Sequence, residues 1–128
     1  MNEELAKQVN VSTEVHYIDD QSDPEQNRYV FAYTISITNE SEVATQLKSR
    51  AWVITDSNGK VSEISGEGVV GKQPVIAPGK TFVYTSGAVV ETPVATMQGK
   101  YNMLDTEIGV GFEVDIPVFR LAQPNILN

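Results

Sequence analysis

The amino-acid sequence predicts an all-β protein, and more specifically an antiparallel β-sandwich. About seven to nine short stretches alternate apolar with polar residues, turn residues separate them, and hardly any stretch has the apolar period of a helix. The chain has 128 residues, of which 41% are hydrophobic, and no cysteine. One domain of this length buries enough surface to fold without disulfides. We therefore expect a single domain over residues 1–128, with an ordered sandwich over about residues 8–121 and mobile tails.

The first two strands are predicted from strict alternation. Between Val9 and Tyr17, valines and Tyr17 share one face and polar side chains the other. After a polar loop at 19–27, the odd positions from Tyr29 to Ile37 are all aromatic or aliphatic, which makes this the clearest strand. We expect those odd positions to face the core.

The next predicted strand is longer and holds the only tryptophan. Asn39 to Glu42 is interpreted as a polar hairpin turn into residues 43–56, whose length suggests a bulged or bent strand. Trp52 is expected in the core. A tight turn over residues 56–59 gives Gly59 a positive φ, and residues 60–65 return antiparallel.

The second half of the chain predicts three more strands. Residues 76–79 form a turn before a strand over 80–86, Thr92-Pro93 interrupts the chain, and residues 96–104 alternate again. A final strand is expected to direct four apolar side chains inward: Phe112, Val114, Ile116 and Val118.

Charge and composition exclude several classes of function. Nine basic and seventeen acidic residues give a net charge of −8, which argues against an extended nucleic-acid surface but leaves room for a local basic patch. No stretch is apolar for long enough to span a bilayer, and the acidic N-terminus lacks a secretory signal. We therefore expect a cytoplasmic protein without membrane insertion.

A glycine motif gives the main candidate site. Gly66, Gly68 and Gly71 match the GxGxxG pattern of dinucleotide-binding folds, which requires a helix after the motif. Pro74 and Pro78 follow instead and oppose that helix. We expect an exposed loop in which glycines supply φ values that Val69 and Val70 cannot reach, and in which at least one glycine has positive φ. The candidate anion-binding or partner-binding loop comprises Gly66, Glu67, Gly68, Val69, Val70, Gly71 and Lys72.

Other residues suggest weaker sites. The lone His16 is expected to be exposed, and no arrangement of Ser, His and Asp or of paired carboxylates predicts an enzyme. Asp19, Asp20 and Asp23 are weak candidates for a divalent cation, since they lack the spacing of a calcium loop. Sandwich edges expose unpaired backbone groups, so we expect a protein partner or self-association as a homodimer, with Thr92 and Pro93 as a partner-facing loop.

Three segments resemble the ApaG (CorD) family: GEGVVGKQPVIAPG at 66–79, YTSGAVVETPVATMQGKY at 84–101 and FEVDIPVFRL at 112–121. The resemblance implies an immunoglobulin-like or fibronectin type III-like sandwich. It also implies an association with cobalt and magnesium resistance or efflux, and a gene neighbourhood that includes diadenosine tetraphosphate hydrolysis. Similar domains occur in a eukaryotic F-box protein and in a protein that interacts with DNA polymerase δ.

Together these features predict a non-enzymatic binding module, without a cofactor, that engages a protein. The alternative is a small-ligand binder, either of polyphosphate at the loop over 66–71 or of a divalent cation at surface carboxylates.

Overall fold

The structure is a computed structural model that describes residues 3–124. It contains one four-residue helix, two 3-10 turns (Asp19–Gln21 and Pro24–Gln26) and eight strands. The helix α1 spans Glu3–Ala6, and the strands are β1 (Val9–Tyr17), β2 (Tyr29–Asn39), β3 (Thr45–Asp56), β4 (Val61–Glu67), β5 (Val75–Ile76), β6 (Thr81–Val90), β7 (Val94–Asp105) and β8 (Val110–Ala122).

The strands form two antiparallel sheets that pack as a sandwich. One sheet has the order β1-β2-β6, and the other has the order β4-β3-β7-β8, with the short β5 paired to the start of β3. The predicted antiparallel β-sandwich is confirmed. Its finer likeness to immunoglobulin or fibronectin type III domains stays a prediction.

The tails fall partly outside the described residues, which exclude 1–2 and 125–128. Within the described part, Leu5 of α1 packs into the core. The mobility expected of the tails stays a prediction. No helix within residues 3–124 has the length and apolar content to cross a lipid bilayer.

Aromatic side chains fill the centre of the sandwich. Trp52 is buried, as predicted, and meets the rings of Tyr33, Phe119 and Tyr101 at centroid distances of 5.4, 5.9 and 6.4 Å. All three contacts are edge-to-face, the arrangement that the ring quadrupoles favour. The odd positions of β2 are also buried, as their alternation predicts.

The prediction that Val118 faces inward is wrong, since this side chain is 60% exposed. The register of β7 with β8 jumps from the pair Gly99 and Ile116 to the pair Met97 and Phe119. Two residues of β8 therefore lie opposite one residue of β7. This bulge reverses the alternation, so that Phe119 takes an inward position in place of Val118.

The prediction of a hairpin turn after Asn39 is also wrong. β2 pairs with β1 and β6, whereas β3 pairs with β4, β5 and β7 in the opposite sheet. The segment between β2 and β3 therefore carries the chain from one sheet to the other. The expected bulge of the following strand is confirmed, between Leu47 and Ser49.

Asn39 holds this crossover together from a fully buried position. Its Nδ2 donates to the carbonyl oxygens of Val43 and Ile76, each at 2.8 Å. Its Oδ1 accepts from the backbone N–H and the hydroxyl of Ser41, at 3.0 and 2.6 Å. A buried amide with all these bonds satisfied fixes the path of the chain, because no water can replace its partners.

We expect Asn39→Ala to lower the free energy of unfolding by about 3 kcal/mol, since it removes two hydrogen bonds to backbone carbonyls and leaves the N–H of Ser41 without its acceptor. Urea denaturation measures the change. Asn10→Ala, at an exposed position of β1, is the matched control and should change stability by less than about 0.5 kcal/mol. Equal losses in the two variants would contradict the role of Asn39.

Candidate functional site

The glycine motif forms a tight hairpin between β4 and β5. Val69 donates its N–H to the carbonyl of Lys72 at 2.8 Å, and Lys72 donates back at 2.9 Å. Between them, Val70 and Gly71 have φ values of 43° and 78°, as in a type I′ turn. Strand β5 follows rather than a helix, so the motif lacks the helix that dinucleotide binding requires.

Each glycine of the motif is required for a different structural reason. A Cβ at Gly66 would lie 2.7 Å from Nη1 of Arg50, so the missing side chain makes room for the guanidinium. A Cβ at Gly68 would lie 2.3 Å from the carbonyl oxygen of Lys72, and φ there is 65°. Gly71 has open space around it and is required only for its φ of 78°. The expected positive φ is confirmed at Gly68 and Gly71 but not at Gly66, which lies in β4.

The expectation that valines avoid positive φ is wrong at Val70. A β-branched residue in the left-handed region costs roughly 1–2 kcal/mol. Val69 beside it is fully buried and anchors the hairpin in the core, whereas Val70 is 54% exposed. The loop therefore presents an apolar, strained side chain to solvent.

Arg50 lies behind the hairpin on the inner face of β3. It stands two residues before Trp52 and opposite the buried Tyr101, so its side chain starts on the core side of the sheet. Nη1 donates to the carbonyl oxygens of Glu67 and Gly68 at 3.2 and 3.1 Å. Among residues 3–124, Nε and Nη2 of Arg50 make no hydrogen bond, and no carboxylate oxygen lies within 4.0 Å.

A cleft of about 280 Å³ opens beside Arg50, where the sandwich is open between β6 and the hairpin. Arg50, Tyr33, Tyr84 and Ser86 line it together with Trp52, Glu67 and residues 69–71 of the hairpin. The hydroxyls of Tyr33 and Ser86 make no hydrogen bond within the described part of the chain. The cleft thus combines a half-buried cation with two unused hydroxyl donors.

Two tyrosines from opposite sheets meet at the inner end of this cleft. The hydroxyls of Tyr84 and Tyr101 are 2.5 Å apart and hydrogen-bonded. Burial raises the pKa of Tyr84 to about 12, although its bond to Tyr101 and the nearby Arg50 oppose the shift. Burial also raises the pKa of Tyr101 well above its ordinary range. Both hydroxyls therefore stay neutral near pH 7.

The backbone around the hairpin carries further basic residues. The carbonyl of Lys48 accepts the N–H of Gly68 at 2.8 Å, and Lys72 closes the hairpin itself. Neither lysine forms an ion pair with a carboxylate between residues 3 and 124. Neither lysine lines the cleft, whose charged lining residues are Arg50 and Glu67.

The second predicted partner loop is committed to local structure. Thr92 is buried, and its hydroxyl accepts the N–H of Ser57 at 3.1 Å and donates to the carbonyl of Val94 at 2.8 Å. The carbonyl of Pro93 accepts the N–H of Gln123 at 2.9 Å. A partner-facing role for Thr92 and Pro93 stays a prediction.

The acidic candidates for a divalent cation lie in the connection between β1 and β2. Asp19 and Asp20 are exposed in a 3-10 turn, and Asp23 precedes the next turn. No group of three or more His, Cys, Asp or Glu side chains in residues 3–124 could hold a metal ion. The three aspartates stay a weak prediction. His16 is exposed, as expected.

A larger depression of about 730 Å³ lies on the outer face of the five-stranded sheet, at the bulge of β8. Gly99 is required at its base, because a Cβ there would lie 2.2 Å from the carbonyl oxygen of Ala51. Its lysine, Lys100, is already paired with Glu113 at 3.5 Å. The cleft beside Arg50 is therefore the better candidate for specific recognition, since its cation is unpaired.

Comparison with known proteins identifies close relatives of the chain. The family model described as the ApaG domain matches residues 19–105. Protein ApaG of Escherichia coli O1:K1 / APEC is 56% identical over 112 residues, which cover 88% of this chain and 89% of that protein.

Solved structures agree with that similarity. The putative ApaA protein from Bordetella pertussis is 49% identical, has a TM-score of 0.88, and is matched over 91% of this chain and 94% of its own. An X-ray structure from a structural genomics consortium is 45% identical, has a TM-score of 0.92, and is matched over 97% of this chain and 93% of its own.

We expect Gly68→Ala to destabilise the protein more than Gly71→Ala. In Gly71→Ala, the alanine has open space but must adopt the positive φ of Gly71. We expect this to lower the free energy of unfolding by about 1 kcal/mol. Gly68→Ala adds a clash with the backbone of Lys72 and should cost on the order of 3 kcal/mol. Chemical denaturation of both variants measures the difference, and equal losses would show that the hairpin accommodates a side chain at Gly68.

We also expect stability to fall between pH 10 and about 12. The pKa of Tyr84 is raised from 10.0 to about 12 by folding, so the neutral hydroxyl stabilises the folded state below pH 10. That contribution is lost as the pH rises toward 12, at up to about 1.4 kcal/mol per pH unit for each proton. Urea denaturation at a series of pH values measures the free energy of unfolding. Above pH 10 it should fall less per pH unit in Tyr84→Phe/Tyr101→Phe than in the wild type. An unchanged slope would contradict the assignment.

Proposed function

Because the chain belongs to the ApaG domain family, we propose that it is a non-enzymatic binding module that takes a protein partner as an added strand along β6. The observation that carries this proposal is the composition of β6. Its ten residues, Thr81–Val90, contain neither a charged residue nor a proline. In the described part of the chain it pairs only with β2, so its other edge is open. An open, uncharged edge is a template for another strand.

The other edge strands carry residues that discourage pairing. Charged side chains or proline on an edge interrupt or repel an incoming strand. These residues are Glu14 on β1, Glu63 and Glu67 on β4, and Asp115 and Pro117 on β8. The contrast singles out β6 as the edge suited to a partner.

The solvent face of β6 supports the same role. Val83 and Val89 are 55% and 53% exposed. Their strand pairs with β2 without interruption from Thr81 to Val90. On that face the hydroxyls of Thr85 and Thr34 are hydrogen-bonded at 2.8 Å. An added strand would gain backbone hydrogen bonds along the edge and apolar contact with the valines.

The glycine hairpin extends this surface. Val70 and Gly71 line the same cleft as Tyr84 and Ser86 of β6, so a strand on β6 would pass the hairpin. The exposed and strained Val70 fits a contact residue, since strain is retained where function needs the conformation. The predicted partner loop and the open edge thus form one surface.

Self-association is one form of this proposal. Two copies can pair their β6 edges antiparallel about a two-fold axis, since such an interface is self-complementary. The net charge of −8 on each copy opposes it, so a dimer would strengthen with added salt. A cytoplasmic location belongs to the same proposal.

A small-ligand role is the alternative. The unused donors of Arg50 favour an anion such as polyphosphate, whereas the carboxylates of the described residues form no metal-binding group. In the binding-module proposal, by contrast, the association with cobalt and magnesium resistance implied by the family would act through a protein partner.

Strand addition can be tested with ten-residue peptides selected from a random phage-displayed library. We expect Val83→Lys/Val89→Lys to weaken binding of the selected peptides at least roughly tenfold, because lysines on an edge strand disfavour pairing. The matched control is Ile108→Lys, at an exposed isoleucine in the turn between β7 and β8, which should bind like the wild type.

Amide hydrogen exchange supplies the second measurement. Peptide binding should slow exchange in β6 more than in β1, β4 or β8. Peptides that bind equally to all three proteins and protect no amide of β6 would rule out strand addition. Sedimentation at rising protein concentration tests the dimer separately.

A further inference from the structure

Arg50 carries a positive charge into a half-buried position without a matching negative charge. Taking a guanidinium out of water is costly unless its donors are satisfied. Nη1 is satisfied by two carbonyls of the hairpin, but Nε and Nη2 have no acceptor among residues 3–124. These two donors form the side-on edge of the guanidinium, which matches both oxygens of a carboxylate.

The nearest acidic residue does not supply that carboxylate. Glu67 lines the cleft, but it contacts Arg50 only through its backbone carbonyl, and its side chain is exposed. No ion pair joins the two residues. An anion bound by Nε and Nη2 would therefore come from outside the described chain.

An added strand on β6 would bring side chains to this place. Paired strands lie about 4.8 Å apart, and alternate side chains of an added strand share a face with those of β6. Tyr84 and Ser86 are the inward-facing residues of β6 that line the cleft. An inward-facing side chain opposite them would lie over the cleft, across from Arg50.

We propose that the cleft receives an acidic side chain, Asp or Glu, from the inward face of a strand paired with β6. Arg50 binds the carboxylate through Nε and Nη2, and the hydroxyls of Tyr33 and Ser86 are further donors. The proposal rests on the proposed function, and it adds which strands are recognised. The volume of about 280 Å³ accommodates a carboxylate side chain.

Arg50 offsets the charge of Glu67 among the residues that line the cleft, although the whole chain is acidic. Lys48 and Lys72 flank the hairpin without carboxylate partners in the described residues. The net charge of −8 repels an acidic peptide at long range, but salt screens that repulsion more than it screens a half-buried pair. Recognition should therefore persist at physiological ionic strength.

The test uses the peptides selected against the full chain for strand addition. We expect one position to be enriched in Asp or Glu, and its change to Gln to weaken binding to the wild type about tenfold. The same change should alter binding to Arg50→Gln less than twofold. Arg120→Gln, at an exposed arginine of β8, is the matched control and should keep the full tenfold difference.

A second variant guards against loss of the hairpin in Arg50→Gln. Tyr33→Phe removes a hydroxyl that lines the cleft and makes no hydrogen bond in the described chain. It should leave the free energy of unfolding unchanged and weaken binding of the acidic peptide a few-fold. Inorganic pyrophosphate is the competing probe and should displace the peptide only weakly.

The outcomes separate this inference from the proposed function. Peptides that protect β6 but show no acidic preference, or whose acid contributes equally with and without Arg50, overturn the inference and leave strand addition intact. Tight, Arg50-dependent binding of pyrophosphate with no acidic preference among peptides overturns it in favour of a small anion. Failure of every peptide to protect β6 overturns the proposed function first, and the inference with it.

Discussion

The buried amide of Asn39 is the constraint on which the two sheets depend. Its side chain joins the end of β2 to the start of β3 and to β5. Its backbone bonds Gly79 and Lys80, at 2.7 and 3.0 Å, where the chain enters β6. One residue thus sets the relative position of β3, which carries Arg50, and β6, which carries the open edge. The proposed recognition surface depends on this corner, because the corner brings strands from both sheets to one side.

Local alternation predicted the strands but not which sheet holds each of them. The pattern of β2 and the position of Trp52 were right because each depends on whether a residue faces a core. The hairpin expected after Asn39 was wrong because a polar turn looks the same whether the chain returns to its sheet or crosses to the other. The prediction for Val118 was wrong for a related reason. One extra residue in a bulge reverses the alternation, and nothing in the sequence clearly marks that residue.

The candidate site was predicted only in outline. The prolines after the glycine motif correctly indicated a loop, yet the role of Gly66 needs Arg50, sixteen positions earlier and on the neighbouring strand. Counting back in twos from Ile54 and Trp52 would have placed Arg50 on the core face. Arginine is rarely buried without a partner, so its position there would have indicated a candidate site. The Tyr84 and Tyr101 pair gave no such signal, because its members come from different sheets.

Trp52 makes the protein report optically on its own state. It is the only tryptophan, it is buried among Tyr33, Tyr101 and Phe119, and its ring also borders the cleft beside Arg50. All tryptophan fluorescence therefore originates at the boundary between the aromatic core and the cleft beside Arg50. Unfolding would shift the emission to longer wavelength as the indole meets water, whereas a carboxylate entering the cleft would change its intensity with the fold intact. The packing that stabilises the sandwich thus also provides a label-free signal for occupancy of the cleft.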